Sequence, residues 1–249
     1  MGKIDDSLAE VAGIEDMTER AFQMAGLVST LFKIKGIALV VTGRLAFNLY
    51  TNATSENCGL ELAPLNTKLT TRVLQEVMAG QLHARGLATH WILAGVAVDF
   101  QSEVVTGLNG ACRDLMTDHG VVKLFPAEEL TAERIVASVH PVADPEAETQ
   151  VRLLLTNALS QAFVMDWAVL QTICHLPEYR VGEELSQLRM ATKHDIDTMG
   201  TTPGPDGQTP TPGEETPPAT EAMPVPDEAA KPKTKSAMER AQDAILGLE

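Results

Sequence analysis

The sequence contains few cysteines and no long apolar run, and both absences narrow the class of protein. Its three cysteines, Cys58, Cys112 and Cys174, are scattered and odd in number. We therefore expect free thiols rather than a disulfide framework or a zinc site. No apolar segment approaches the roughly 20 residues that a membrane-spanning helix needs, and residues 1–6 are too acidic for a signal peptide. These observations predict a cytoplasmic protein with no membrane span.

Positive charge and aromatic residues are also scarce. The chain has 19 lysines and arginines against 34 aspartates and glutamates, a formal net charge of −15, and only 4% of its residues are aromatic. This charge repels a polyanion, and the sequence has no basic cluster with interleaved aromatic residues on which bases could stack. We therefore expect no nucleic-acid partner.

What the sequence does contain is enough apolar residues, 44%, for a substantial core, and one informative stretch over residues 37–63. Residues 37–42 are apolar and β-branched without alternation, which is typical of a strand covered on both faces. Gly43 and Arg44 follow, and then a short amphipathic helix, a polar loop and a second strand over residues 59–63 that carries Glu61.

The Gly43-Arg44 pair marks a turn from a strand into a helix. Glycine permits a positive φ and a close approach of the backbone to a ligand, and the helix N-terminus that follows suits a phosphate. Arg44 could then clamp a triphosphate with its planar guanidinium group. The alternative is a tight structural turn with Arg44 exposed to solvent.

This order of elements resembles the minimal nucleotidyltransferase fold of the polymerase-beta-like superfamily, including small bacterial members associated with toxin–antitoxin pairs. In that family the second strand carries Asp-x-Asp and a later strand carries a third carboxylate. Residues 96–100, Val-Ala-Val-Asp-Phe, resemble the later strand, with Asp99 as its carboxylate. The Asp-x-Asp position corresponds to Gly59-x-Glu61 or to Cys58-x-Leu60. We favour the first register because it keeps Leu60 and its neighbour Leu62 in the core.

The resemblance implies that Glu61 and Asp99 hold a Mg²⁺ ion together with substrate phosphates. Gly59 stands where the family has its first metal ligand, and Glu56 in the preceding loop is a candidate substitute. The alternatives are that Glu61 is a solvent-facing residue of an edge strand, that Asp99 is a remnant, and that Glu56 is an ordinary loop residue. The only literal Asp-x-Asp, at residues 195–197, is predicted to be a solvated turn.

The fold class that follows is α/β: a nucleotidyltransferase-like mixed sheet with flanking helices and a helical C-terminal half. Nine of the fourteen prolines lie between Pro203 and Pro232, a composition that predicts a disordered linker because it cannot bury enough apolar surface. The predicted boundaries are an N-terminal extension (1–16), the α/β core (17–125), the helical part of the same domain (126–199), the linker (200–235) and a terminal helix (236–249).

The terminal helix has a partner-docking pattern. Ser236 and Glu239 form a capping box, and an apolar seam follows. The seam consists of Met238, Ala241, Ile245 and Leu248. At the end of a linker that cannot cover it, this seam is expected to stay exposed and to dock into a groove of a protein partner. The alternative is a frayed terminus.

Two functions remain open at this point. The first is a degenerate nucleotidyltransferase-fold protein that acts as a binding or scaffold module, tethered to a partner by its terminal helix, with a nucleotide as a second candidate ligand. The second is a Mg-dependent enzyme that moves a nucleoside monophosphate from an NTP to a protein or small molecule through Glu61 and Asp99.

Overall fold

A computed structural model describes residues 3–55, 57–103, 112–199 and 235–246. The helices are α1 Lys3–Ala12, α2 Met17–Ile34, α3 Gly43–Thr51, α4 Thr71–Leu74, α5 Ala127–Val139, α6 Pro145–Leu159, α7 Trp167–His175, α8 Gly182–Met199 and α9 Ala237–Leu246, with a π-helical segment Gln75–Gln81 after α4. The strands are β1 Leu39–Thr42, β2 Leu60–Pro64, β3 Arg85–Leu87, β4 His90–Leu93, β5 Val96–Phe100, β6 Arg113–Thr117 and β7 Gly120–Leu124.

The strands form one seven-stranded mixed sheet in the order β3-β4-β5-β2-β1-β7-β6. Strand β1 pairs parallel with β7 and β2 pairs parallel with β5, whereas the remaining pairs are antiparallel. The predicted mixed α/β sheet is therefore confirmed, and β1, the strand before the Gly43 turn, lies near its centre.

The two faces of the β2–β5–β4 half of the sheet differ in character. Leu60, Leu62 and Val98 are fully buried on one face, where Phe32 of α2 contacts the Phe100 ring with centroids 5.4 Å apart. The alternate residues of the same strands lie on the other face and, apart from the buried Ala63, are half-buried or exposed. The expectation that Leu60 and Leu62 are core residues is thus confirmed, and Glu61 lies on the open face.

The helical C-terminal half packs beside this sheet. Helices α5 to α8 contact one another, and α3 contacts both α5 and α6. The sequence Asp144-Pro145 predicts an N-cap and a first helical residue, and α6 does begin there: the Asp144 carboxylate accepts the backbone N–H of Glu146 at 2.9 Å, with Pro145 in the first turn. This half therefore brings the start of α6 close to the start of α3. None of the helices in the described ranges has the length and apolarity needed to cross a membrane.

Two segments differ from the sequence-based expectation. The sequence of residues 107–119 predicts a loop and a short helix, but Arg113–Thr117 is strand β6, paired with β7 through a short hairpin. Leu115 and Thr117 are buried and alternate with more exposed residues, as in a half-buried strand. The pattern is hard to recognise in the sequence because the strand begins with the charged residues Arg113 and Asp114. The helix expected from about residue 67 is α-helical only over Thr71–Leu74 before it widens into the π-helical segment.

The terminal helix is the main correction. Met238, Ala241 and Ile245 are buried, because α9 packs against β6, α2 and α3 of its own domain. The expectation of an exposed seam is therefore wrong for these three residues. This expectation failed because β6, which forms part of the surface that covers the seam, was not predicted as a strand. The capping box is confirmed by reciprocal hydrogen bonds between Ser236 and Glu239.

Three predicted features lie outside the described residues. They are Leu248 at the end of the seam, Glu56 in the loop before β2, and the linker over residues 200–234.

The close packing of α2 on β6 gives a first testable prediction. A Cβ added at Gly26 would lie 1.9 Å from Thr117 Oγ1, an oxygen that also accepts the backbone N–H of His119 in the β6–β7 turn. We expect Gly26→Ala to lower the free energy of unfolding by about 1–3 kcal/mol, the usual cost of overpacking, as measured by urea denaturation.

The matched control is Gly80→Ala, where the nearest atom to an added Cβ is the Gln75 carbonyl oxygen at 3.8 Å. That change should alter stability by no more than about 0.5 kcal/mol. Equal effects of the two substitutions would show that the helix–strand contact is not tight.

Candidate functional site

Four side chains form one cross-strand row on the open face of the sheet. Thr42 of β1 lies opposite Glu61 of β2, Glu61 lies opposite Asp99 of β5, and Asp99 lies opposite His90 of β4. Residues directly opposite one another in neighbouring strands share a face, with the strands about 4.8 Å apart. The predicted placement of Glu61 and Asp99 on adjacent strands and one face is therefore confirmed, whereas their role in metal binding stays a prediction.

Glu61 reaches the N-terminus of α3. Its Oε1 accepts the backbone N–H of Arg44 at 3.2 Å, and Gln101 donates to its Oε2 at 3.5 Å. The carboxylate lies over Gly43, since a Cβ built there would be 2.2 Å from the Glu61 carboxyl carbon, and Gly43 has a φ of +61°. Only glycine leaves room for this contact, and the helix N-terminus attracts the negative charge.

Asp99 is paired with a histidine. Its Oδ1 lies 2.6 Å from Nδ1 of His90, and the His90 side chain is 79% exposed. An imidazole held in this way by a carboxylate has a fixed orientation and keeps Nε2 free for another partner. Asp99 therefore already has a hydrogen-bonding partner within the protein.

Beyond Glu61, towards α5 and α6, lies a polar cavity of about 210 Å³. It is lined by Arg44, Glu61, Arg134, Asp144, Glu146 and Gln150. The guanidinium group of Arg44 is 3.6 Å from Glu146 Oε1. Two donors at this end of the sheet, Arg134 Nε and Thr42 Oγ1, are buried with no hydrogen-bond partner among the described residues. Unpaired donors beside a helix N-terminus suit an anion.

A second and wider cleft adjoins the other end of the row. It measures about 650 Å³ and is lined in part by His90 and Gln101 of the open face and by Lys68 and Thr71. The row of polar side chains is therefore accessible from both sides, with space for a ligand of nucleotide size.

The donor set does not fit a magnesium ion as it stands. Mg²⁺ requires oxygen ligands in near-octahedral geometry, usually one or two carboxylates that are free to bind it. Here Glu61 is engaged by the α3 N-terminus and Asp99 by His90. Gly59, two residues before Glu61, supplies no side chain, and the described ranges contain no group of three or more potential metal ligands.

Three other residues singled out in the sequence lie away from this row. Asp195 and Asp197 are on the exposed side of α8 rather than in a turn, with Asp195 3.6 Å from Arg152. Cys58 lies just before β2 and is buried, and burial raises the pKa of its thiol. A thiol of that kind is a poor nucleophile at neutral pH, so the chemistry of the site rests on the cross-strand row.

Sequence reasoning did not assign His90, Thr42 or Arg134 to the site. The position of His90 could have been found, because the predicted hairpin turn at Ala94-Gly95 pairs it with Asp99. Arg134 comes from α5, far along the chain, and no local pattern connects it to Glu61.

No protein-family model matches the chain, and no curated protein matches it in sequence. Its structure is similar to that of an antigenic nucleotidyltransferase-like protein from Paracoccidioides brasiliensis, with 17% identity, 72% of this chain and 94% of that chain covered, and a TM-score of 0.47. It is also similar to ANT(2″)-Ia in complex with adenylyl-2″-tobramycin, with 13% identity, 71% and 98% coverage, and a TM-score of 0.43. The solution structure of the antibiotic-resistance factor ANT(2″)-Ia gives 12% identity, 69% and 94% coverage, and a TM-score of 0.40. These similarities assign no activity to this chain.

Proposed function

We propose that this chain is a non-catalytic protein of the nucleotidyltransferase fold that acts as a binding module. The observation that carries the proposal is that both candidate metal carboxylates have protein partners: Glu61 the backbone N–H of Arg44, and Asp99 the imidazole of His90. A metal ion would have to share both carboxylates with these partners and would lack a side-chain ligand at Gly59.

The ligand of such a module is a phosphate-bearing molecule such as a nucleotide. Support comes from the α3 N-terminus at Gly43 and Arg44 and from the unpaired donors Thr42 Oγ1 and Arg134 Nε. The Glu61 carboxylate lies against this helix end, so a phosphate would bind only after the Glu61 side chain rotates away. The module is therefore closed to anions at rest.

The proposal also covers the cellular location, the narrower family affiliation and the protein partner. A reducing, cytoplasmic location is supported by Cys58, Cys112 and Cys174, which are all free thiols. The narrower affiliation with small bacterial toxin–antitoxin proteins stays a prediction. The scaffold role, with a protein partner held through the terminal helix, also stays a prediction, and that partner would have to compete with the domain for Met238, Ala241 and Ile245.

The second candidate is the Mg-dependent nucleotidyltransferase. One observation favours it: Glu61 and Asp99 lie directly opposite each other on one open face. If both carboxylates changed partner, they would be close enough to share an ion.

Incubation of the full-length protein with each labelled NTP and with Mg²⁺ or Mn²⁺ separates the two candidates. We expect no transfer of label to the protein or to small-molecule acceptors above the level of a heat-denatured sample. Turnover that is abolished by Asp99→Asn would overturn the non-catalytic proposal. Asp114→Asn is the matched control, because Asp114 is an exposed β6 carboxylate at the other side of the sheet, paired with Lys123 at 2.7 Å.

A further inference from the structure

The surface that holds α9 recognises both ends of the helix. At the first turn, Glu19 Oε2 of α2 accepts the backbone N–H of Met238 at 2.9 Å. At the last turn, Arg113 of β6 donates to the carbonyl oxygen of Ile245 at 3.0 Å. An acid at the N-terminus and a base at the C-terminus complement the helix dipole and satisfy groups that a helix leaves unpaired. The surface therefore specifies the direction of the helix as well as its position.

Between its two ends the helix is held by an apolar seam and by polar contacts at its edges. Met238, Ala241 and Ile245 are buried, and Ile245 borders a small cavity of about 170 Å³ lined in part by Leu49 and Tyr50 of α3. Outside the seam, Arg240 contacts Asp118 at 2.6 Å, and Gln242 donates to the Asn52 side chain. These contacts define a helix groove formed by α2, α3 and β6.

A long segment of chain connects α9 to the rest of the domain. Residues 200–234 separate α8 from the segment that begins at Lys235. A chain of 35 residues spans up to roughly 115 Å when extended, at about 3.3 Å per residue, whereas a domain of this size has a radius of gyration of roughly 16 Å. The terminal helix can therefore reach the groove of its own domain or that of a neighbouring copy.

We propose that the helix groove is a receptor for an amphipathic helix, and that α9 is its tethered and exchangeable ligand, so that the groove also accepts α9 from a second copy of this chain. Tethering by a linker of this length gives an effective concentration on the order of millimolar. At micromolar protein concentration the groove is consequently filled by its own helix. Exchange between copies follows when the linker is cut. It also follows when the local protein concentration approaches the effective concentration that the linker gives to α9.

The inference is independent of whether the chain transfers nucleotides. It requires only that α9 leaves and re-enters the groove while the rest of the domain stays folded. The small size of the seam supports this requirement, because few side chains are lost from the core on release.

The test uses the full chain with a specific protease site inserted within residues 200–234, and a fluorescent peptide of residues 235–249 as the probe. Fluorescence anisotropy measures peptide binding before and after cleavage, without removal of the released segment. We expect the cleaved protein to exchange its own segment for the peptide at micromolar concentrations. The intact protein should need at least about 100-fold more peptide, because its tethered helix competes.

Peptide variants locate the binding without altering the receptor. A peptide with Ile245→Ser should bind at least tenfold more weakly than the unaltered peptide, because its seam loses a buried side chain. Arg240→Gln should weaken binding to the unaltered receptor but not to a receptor carrying Asp118→Asn.

Four results would overturn the proposal. They are failure of the cleaved protein to bind the peptide, equal binding by intact and cleaved protein, equal binding of the Ile245→Ser peptide, and loss of the near-ultraviolet circular dichroism signal on cleavage. The last result would show that α9 is an integral part of the fold rather than a ligand.

Discussion

Gly43→Ala is expected to destabilise the protein by about 2–3 kcal/mol, the sum of a left-handed backbone forced on alanine and a steric conflict. The φ of Gly43 is +61°, and an added Cβ would lie 2.2 Å from the carboxyl carbon of Glu61. The Glu61 side chain can relieve the conflict only by leaving the backbone N–H of Arg44. The α3 N-terminus would then lose its anionic partner. Urea denaturation of the full-length protein measures the change.

Gly36→Ala separates the two contributions. Gly36 also has a positive φ, +75°, but no atom lies within 4 Å of an added Cβ. We expect it to cost only the backbone strain, about 1 kcal/mol. Gly43→Ala should no longer cost more stability than Gly36→Ala when both substitutions are made in a protein that carries Glu61→Ala. Equal costs at the two glycines would mean that Glu61 does not lie over the α3 N-terminus.

Part of this site could be derived from the sequence because local rules fix it. A two-residue turn at Ala94-Gly95 sets the hairpin register, and counting outward by equal steps from the turn reaches His90 on one strand and Asp99 on the other. The preference for Leu60 and Leu62 as core residues likewise placed Glu61 on the open face. Both relations depend on neighbours in sequence, but only the placement of Glu61 was drawn from it, and that placement agrees with the structure.

The parts that could not be derived depend on contacts between distant segments. Strands β1 and β2 are connected through α3, so no turn fixes which β2 residue lies opposite Thr42. Arg134 reaches the site only because α5 and α6 pack next to α3. A long linker also separates α9 from the groove that buries its seam. Amphipathicity identified the apolar seam, but it carried no information on which surface receives it, so the seam was wrongly expected to stay exposed.

The same cross-strand geometry lets the side chains of the open face change without loss of the fold. The backbone hydrogen bonds of the sheet do not depend on the side chains of the open face, so ligands can change there at little cost to the core. Glu61, with one methylene more than aspartate, reaches the helix end, and Asp99 is hydrogen-bonded to the His90 ring. Each carboxylate therefore has a partner that keeps it from being an unpaired charge.

The substitution Gly59→Asp adds a carboxylate to this face. It tests whether the lack of a side chain at Gly59 is what prevents metal binding. Gly59 lies two residues before Glu61 and so faces the same side of the sheet. A Cβ added at Gly59 would meet only Ala97, with its carbonyl oxygen at 3.6 Å and its Cβ at 3.9 Å. Gly59→Asp should therefore fold and place three carboxylates on one face. We expect affinity for Mn²⁺ to rise at least about tenfold, since charge count and ligand number set the affinity of such sites.

Isothermal titration with Mn²⁺ measures the gain, and thermal unfolding provides a second readout. Without metal, the added negative charge beside Glu61 should lower the melting temperature through like-charge repulsion, and Mn²⁺ should restore it. Adding His90→Ala should tighten binding further, because Asp99 then loses the ring nitrogen that contacts its Oδ1. Gly59→Asn has the same size without the charge and should bind no more tightly than the unaltered protein. Sub-millimolar Mn²⁺ binding by the unaltered protein, or an equal gain from Gly59→Asn, would show that the missing carboxylate is not what prevents metal binding.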